Sequence, residues 1–152
     1  MEVIFADGPV ILDDTVGNPA SIEAVFETAR AMPYDRLRVV YAIRGARGLA
    51  INRHNAHALA ALVGASEAQL IVTSSEDAAD DRNRVSEEEQ ATVLGVLRGA
   101  GVVFAFEASV GTAVRRAIDA SGTGDLILLL GAQGMDRGAE VAWAHLGVGR
   151  QE

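Results

Sequence analysis

The chain has 152 residues, of which 49% are hydrophobic and 22% charged, which suits one folded domain with a full core and excludes a disordered chain. The formal net charge of −8 argues against nonspecific binding to nucleic acid or to an anionic membrane surface, and the lack of cysteine excludes disulfides and thiolate metal sites. All 13 basic residues are arginines, which excludes a Gly-x-x-x-x-Gly-Lys-Ser/Thr phosphate loop and a Schiff-base lysine.

The first two predicted strands form a pair at one edge of a sheet. Residues 1–5 and the apolar run that begins at Pro9 both have strand composition, and the turn 7–9 between them is short enough to favour antiparallel pairing. Asp13 and Asp14 are expected to end the second strand, because burying a charge costs free energy.

The segment after these carboxylates predicts a helix start. Gly17 permits a tight turn, Asn18 can cap the helix, and Pro19 suits its first position. The next apolar residues recur at helical spacing and predict a buried face: Ile22, Val25, Phe26 and Ala29. An acidic loop between a strand and a capped helix is where parallel sheets bind ligands. Plain turn chemistry is the alternative, since Asp, Gly, Asn and Pro are common in loops.

The rest of the chain alternates between strand and helix. Strands are predicted at residues 36–43, 68–73, 102–106 and 125–130, and helices at 52–63, 86–98, 109–120 and 136–146. Asn52 is the expected cap of the second helix, and Ser86 with Glu89 forms a capping box for the third. The pattern predicts one α/β domain over 1–152, a Rossmann-like three-layer sandwich of about six strands. Five strands are expected to be parallel and one to be an antiparallel edge strand, with helices on both faces and the most apolar strand, 125–130, in the centre.

Three arginines and no acidic residue occur in the loop that follows the second parallel strand: Arg44, Arg47 and Arg53. Glycines flank Arg47, so the backbone amides as well as the guanidinium groups are expected to face an anion, a carboxylate or a phosphate. The alternative is that these arginines pair with the acidic residues of the neighbouring loop, which are Glu76, Asp77, Asp80 and Asp81.

Other candidates give weaker signals. The loop 131–134 contains two glycines that could let the backbone approach a ligand, with Gln133 offering amide contacts, or it is simply a turn. His54 and His57 are spaced as a metal pair, but no third ligand is evident and solvated histidines explain them better. Trp143 is expected to be a core residue.

Several of these segments resemble motifs of the C-terminal domain of the Mur ligase family, to which folylpolyglutamate and cyanophycin synthetases are related. Residues 1–4 resemble the end of the segment by which the family enters this domain, and 13–19 are similar to its Asp-Tyr-Ala-His-x-Pro marker. Residues 45–48 resemble its Gly-x-Arg loop, 73–77 its Thr-Ser/Asp loop, and 124–135 its closing Gly-Asp and Gly-Lys-Gly-His segment. The lysine and histidine of that last motif are replaced here, and 74–84 lack the Asp-Asn-Pro-Arg signature of diaminopimelate-adding enzymes.

The resemblance implies a function and a set of roles. It implies the amino-acid-binding domain of an ATP-dependent acid–amino-acid ligase, as in peptidoglycan synthesis, that acts through an acyl phosphate. ATP and magnesium would be held mainly by a central domain outside this chain, so the isolated domain is expected to be inactive. Asp13 would orient the ribose of ATP without needing a strongly shifted pKa. The substrate-binding residues would be Arg44, Arg47, Asn18, Ser74, Ser75 and Gln133.

The partners that follow are the central ATP-binding domain of the same ligase and the amino-acid substrate, and neither nucleic acid nor a membrane is expected as a partner. No residue of this chain is assigned a catalytic or metal-binding role. No apolar run approaches the ~20 residues of a membrane span and no signal peptide is evident, so a cytoplasmic location is expected. The alternative function is a self-contained, non-catalytic binding module or regulatory subunit with a Rossmann-like fold.

Overall fold

The computed structural model describes residues 1–4 and 8–147. The strands are β1 Glu2–Ile4, β2 Val10–Thr15, β3 Leu37–Ala42, β4 Gln69–Thr73, β5 Phe104–Glu107 and β6 Leu126–Gly131. The helices are α1 Pro19–Arg30, α2 Leu49–Ser66, α3 Glu87–Gly99, α4 Val110–Asp119 and α5 Gly138–Leu146, and Gln133–Met135 form one 3-10 turn. Phe5 and Asp7, which belong to the predicted first strand and turn, lie outside the described residues.

The strands form one six-stranded sheet in the order β1-β2-β6-β3-β4-β5. β1 runs antiparallel to β2, and the other neighbouring pairs are parallel. The prediction of five parallel strands and one antiparallel edge strand is therefore confirmed. The prediction for the most apolar strand is also confirmed, because β6 lies between β2 and β3 with all six of its residues buried.

Two apolar cores cover the two faces of the sheet. On one face α1, α2 and α3 contribute side chains such as Phe26, Leu59 and Leu97 to the larger core. On the other face α4 and α5 pack with Val114 and Ala142 against the alternate residues of β6 and β3. Helices on both faces of a mostly parallel sheet give the predicted three-layer sandwich. Within the described ranges, none of the helices combines the length and the apolar character that crossing a membrane requires.

Two of the predicted helix starts are confirmed in detail, and one is wrong. Asn18 Oδ1 accepts a hydrogen bond from the Ser21 amide at 2.9 Å, and Ser86 with Glu89 forms the capping box of α3. The predicted cap of α2 is wrong. Asn52 lies inside that helix, which begins at Leu49, and its side chain is fully buried.

The end of β2 also differs from the prediction. The strand continues through Asp13 and Asp14 to Thr15 and stays in register with β6 along that length. Both carboxylates are half-buried rather than enclosed, so the strand can keep its backbone hydrogen bonds while the charges retain part of their hydration.

Candidate functional site

The loops that follow the five parallel strands meet along one edge of the sheet, where ligands bind in folds of this kind. Every predicted site residue lies at this edge: Asp13 on β2, Asn18 before α1, Arg44 and Arg47 between β3 and α2, Ser74 and Ser75 after β4, and Gln133 after β6. Since β2, β6, β3 and β4 are neighbours in the sheet, the loops that carry these residues are neighbours as well.

Asp13 is surrounded by other carboxylates. It lies opposite Glu2 in the β1–β2 pairing, next to Asp14 in sequence, and within electrostatic range of Asp136. Burial, followed by the charges of Glu2 and Asp14, raises the pKa of Asp13 to about 6, although the Met1 amino group acts in the opposite direction. The role that the resemblance implies for Asp13 does not require a shifted pKa, yet the folded domain raises it. At neutral pH Asp13 is ionised, but at a cost in free energy.

Arg44 connects two of the loops. Its Nη1 donates a hydrogen bond to the Gly17 carbonyl at 2.8 Å, and Asn55 Nδ2 donates to the same oxygen at 3.4 Å. A side chain at Gly17 would meet this guanidinium, since a Cβ there would lie 2.5 Å from Arg44 Nη1. Arg44 is half-buried, and its Nε has no partner within residues 1–4 and 8–147. Part of its donor capacity thus holds the β2–α1 loop in place rather than facing a ligand.

Glu89 occupies the position at which the sequence predicted an external anion. Its carboxylate belongs to α3, yet it accepts hydrogen bonds from the loop that carries the arginines. The donors are Ala46 N at 3.0 Å, Arg47 N at 3.1 Å, Gly48 N at 3.1 Å, Asn52 Nδ2 at 3.0 Å and Ser86 N at 3.1 Å. The prediction that these amides are open to a ligand is wrong. Only the guanidinium groups of this loop remain available to an anion.

These hydrogen bonds also determine the charge state of Glu89. Burial acts to raise the pKa of its carboxyl, but the donated amides of Ser86, Ala46 and the two following residues outweigh burial and lower it. Glu89 is therefore a carboxylate throughout the physiological pH range.

The acidic residues of the next loop do not neutralise the arginines. Asp77 accepts hydrogen bonds at the start of α4 from Val110 N at 2.7 Å, Gly111 N at 3.1 Å and Ser109 Oγ at 2.8 Å. Asp80 holds its own turn, and Asp81 pairs with Arg84 at 3.1 Å. Across the part of the chain that the structure describes, no salt bridge joins Arg44, Arg47 or Arg53 to any of these carboxylates. The exposed Arg47 thus has no acidic partner among residues 1–4 and 8–147, in a chain of net charge −8.

The two serines lie deeper than a surface site requires. Ser74 and Ser75 are 3% and 0% exposed, and neither hydroxyl has a partner among the described residues. Ser74 lines a cavity of about 70 Å³ together with Glu76 and Arg84. Ser75 lies beneath the β6–α5 loop, where a Cβ on Gly134 would come within 3.0 Å of its Oγ.

The β6–α5 loop uses its glycines for packing. Gly131 and Gly134 are buried, and a Cβ on either would crowd Ala42. The prediction that these glycines expose the backbone to a ligand is therefore wrong. Gln133, between them, begins the 3-10 turn and remains half-buried at the edge.

Comparison with known proteins identifies the family. The sequence profile described as "Mur ligase, glutamate ligase domain" matches residues 1–133. The chain belongs to this family. A search of curated protein sequences found no match.

Solved structures of ligases share the fold of this Mur ligase domain. The murein peptide ligase Mpl of Psychrobacter arcticus matches with a TM-score of 0.71 and 16% identity over 100% of this chain and 30% of its own. A UDP-N-acetylmuramoyl-L-alanyl-D-glutamate–2,6-diaminopimelate ligase matches with a TM-score of 0.68 and 16% sequence identity, and the match covers 95% of this chain and 31% of that ligase. FolC of E. coli, solved with ADP, matches at 0.66 and 18% over 94% of this chain and 30% of its own. This chain therefore spans about a third of the length of these ligases.

Sequence reasoning on this Mur ligase domain missed the loop contacts of one residue. The capping-box spacing identified Glu89, but not its second set of donors, which lie about 40 residues earlier in the chain. His54 and His57 are exposed on α2, and no group of three or more metal-ligating side chains is found in the described ranges. Trp143 packs, half-buried, against the α4–α5 core, as expected of a core residue.

Proposed function

We propose that this chain is the amino-acid-binding domain of an ATP-dependent ligase that joins a carboxylate to an amine. Family membership supports the reaction class. The role of the domain is supported by the exposed guanidinium of Arg47 at this edge of the sheet, which forms no salt bridge within the part of the chain that the structure describes. In a domain of net charge −8, an arginine without an acidic partner is the group that can hold the carboxylate of an amino acid.

The chemistry proposed for the whole ligase is the formation of an amide through an acyl phosphate. ATP phosphorylates the acceptor carboxylate, and the amine of the incoming amino acid attacks that carbonyl with loss of phosphate. The contribution of this domain is orientation: Arg47 binds the carboxylate of the amino acid and leaves its amine free to attack. Asn18, Ser74, Ser75 and Gln133 stay proposed contacts around it. Asn18 also caps α1, and the fully buried Ser75 needs a loop shift to reach a ligand.

The residues present are compatible with ATP at the β2 end of this edge. The ionised Asp13 offers acceptor oxygens to ribose hydroxyls, and burial beside Glu2 and Asp14, which raises its pKa, supports a role in accepting hydrogen bonds from a ligand. The phosphates and the magnesium ion are assigned to a central domain of the same ligase, because this chain has no lysine and its described residues contain no cluster of metal ligands. The proposed ligase thus contains a central ATP-binding domain next to this one and acts in the cytoplasm.

The test is a substitution of Arg47 in the full-length ligase. The assay measures ADP release with the amino acid that gives the highest turnover from a panel of protein amino acids, D-glutamate and diaminopimelate. Losing a charged hydrogen bond of about 1.5–3 kcal/mol should raise the KM for the amino acid roughly 10- to 100-fold in Arg47→Ala, with the KM for ATP little changed. Arg47→Lys should recover only part of this, because an ammonium group cannot make the bidentate contact.

Arg53→Ala is the matched control, since Arg53 is also an exposed arginine, one turn into α2. It should leave both KM values within about twofold of the wild type, because Arg53 lies within α2 rather than in the 44–48 loop and is not one of the proposed substrate contacts. An unchanged amino-acid KM in Arg47→Ala would show that the carboxylate is bound elsewhere.

A further inference from the structure

The carboxylate of Glu89 is buried, and its partners among the described residues are uncharged hydrogen-bond donors. Glu89 is 4% exposed, and no salt bridge to it occurs in the described part of the chain. Three consecutive backbone amides, the Asn52 side chain and the Ser86 amide neutralise it instead. The amides of Ala46 to Gly48 lie at the start of α2, where the helix dipole also favours a negative charge.

The loop that donates these amides has a backbone conformation that is unfavourable on its own. The two residues beside Arg47 both have positive φ angles, 58° at Ala46 and 96° at Gly48. Glycine adopts such angles readily, but Ala46 is a non-glycine residue in the left-handed region, which is unfavourable. Such a conformation persists only where the surroundings compensate for it. Glu89 provides that compensation, because all three amides from residue 46 to residue 48 point at its two oxygens.

Asn52 extends the same arrangement to Arg44. Its Nδ2 donates to the Arg44 carbonyl at 2.8 Å and to the Gly48 carbonyl at 3.0 Å as well as to Glu89 at 3.0 Å. Both arginines of the candidate site thus have backbone atoms tied, directly or through one amide group, to the Glu89 carboxylate.

We propose that Glu89 is a positioning residue for the amino-acid site: its carboxylate occupies the amide nest of the 44–48 loop and thereby fixes the backbone from which Arg47 reaches the substrate. Substrate recognition in this loop is then left to guanidinium groups alone, since the amides are already used. The predicted effect of Glu89 on substrate binding rests on the function proposed for Arg47. The hydrogen bonds between Glu89 and the three amides do not depend on that function.

The first test uses the 152-residue chain and is independent of any substrate. Amide hydrogen exchange of Ala46, Arg47 and Gly48 is followed by NMR in Glu89→Ala, with the exposed neighbour Glu88→Ala as the matched control. Loss of charged hydrogen bonds should speed exchange at these amides at least about tenfold in Glu89→Ala and leave them unchanged in Glu88→Ala.

Sodium formate provides a rescue arm, because it can return a carboxylate to the vacated nest. At a few hundred millimolar (roughly the range at which a weak anion site fills), formate should slow exchange at these amides again, and equal sodium chloride should not. Unchanged exchange in Glu89→Ala, or equal rescue by both salts, would overturn the occupied nest. If Glu89→Ala does not fold, Glu89→Gln keeps the volume and answers the same question, because its amide NH₂ faces donors that need an acceptor.

The second test uses the full-length ligase and the same amino acid as the Arg47 assay. Glu89→Gln should raise the KM for the amino acid about 5- to 50-fold while kcat and the KM for ATP stay within about twofold, and Glu89→Gln/Arg47→Ala should be no worse than Arg47→Ala. A raised KM in Arg47→Ala with an unchanged KM in Glu89→Gln would overturn the positioning role. An unchanged KM in Arg47→Ala would overturn the proposed function of Arg47 and leave the occupied nest to the exchange experiment.

Discussion

Replacing Asp13 with asparagine should stabilise this domain at neutral pH, although it removes a residue proposed to bind ATP. Asp13 is half-buried, and Glu2, Asp14 and Asp136 add negative charge around it. Its pKa in the folded protein is about 6, compared with the ordinary value of 3.8. The folded state therefore holds the Asp13 proton more tightly than the unfolded state does, and ionising this carboxyl destabilises the fold.

The magnitude and the sign follow from linkage. A rise in the pKa from 3.8 to about 6 corresponds to roughly 3 kcal/mol, and solvent screening of a partly exposed group reduces the expected effect to about 1–2 kcal/mol. Because the folded-state pKa is the higher one, the favourable contribution is complete below about pH 4 and is lost as the pH rises through 6. Asp13→Asn cannot ionise, so its advantage over the wild type should be absent near pH 4 and full by pH 7.

Urea unfolding of the 152-residue chain between pH 4 and pH 7.5 measures this difference. Glu2→Gln tests the cause, since removing the cross-strand charge should lower the pKa of Asp13 and recover part of the stability of Asp13→Asn. In the full-length ligase, Asp13→Asn should raise the KM for ATP roughly 5- to 100-fold through the loss of charged hydrogen bonds. An Asp13→Asn protein that is less stable than the wild type at pH 7 would refute the electrostatic reasoning and show that the carboxylate is structural.

Two further predictions concern the loops around the site. Asp77→Ala should lower the free energy of unfolding by about 1 kcal/mol at pH 7, because it removes the carboxylate at the start of α4. Hydrogen bonds outweigh burial and lower the pKa of Asp77, so this difference should vanish as acid protonates the wild-type carboxylate, which urea unfolding at low pH would measure. Gly45→Ala should destabilise the domain by more than 2 kcal/mol, because a Cβ there collides with the Asn83 carbonyl, and an unchanged melting temperature would contradict that packing. Gly95→Ala, an exposed position of α3 with open space around it, is the control and should stabilise by about 0.5–1 kcal/mol.

Much of the fold was predictable because its signals are local. The apolar run of β6 indicates a strand covered on both faces, and the spacing of Ser86 and Glu89 marks the start of α3. The end of β2 was not predictable in this way. Whether a strand continues through Asp13 depends on which strands lie beside it and on how much water reaches the edge, and neither is encoded within the segment.

The candidate site was predictable in its location but not in its electrostatics. Asp13 near the end of β2 and Arg47 after β3 lie at the same edge of the parallel sheet. The Glu89 carboxylate reaches the 44–48 loop from 41 to 43 residues away, so no local pattern indicates it. Asn52 shows the same limit: it has the side chain of a cap, but it is buried inside α2 and bonds to the Arg44 carbonyl.

The carboxylates at this edge differ in how strongly the folded domain stabilises their charged form. Glu89 and Asp77 each accept several amide hydrogen bonds, which outweigh burial and lower their pKa, so the domain itself already stabilises these two charges. Asp13 is instead partly buried beside further negative charge, and both effects raise its pKa. A ligand that donates hydroxyl hydrogen bonds to Asp13 would lower that pKa and recover stability that the free domain lacks. Binding and protonation at Asp13 should therefore compete, and the affinity for ATP in the full-length ligase should weaken as the pH falls through 6.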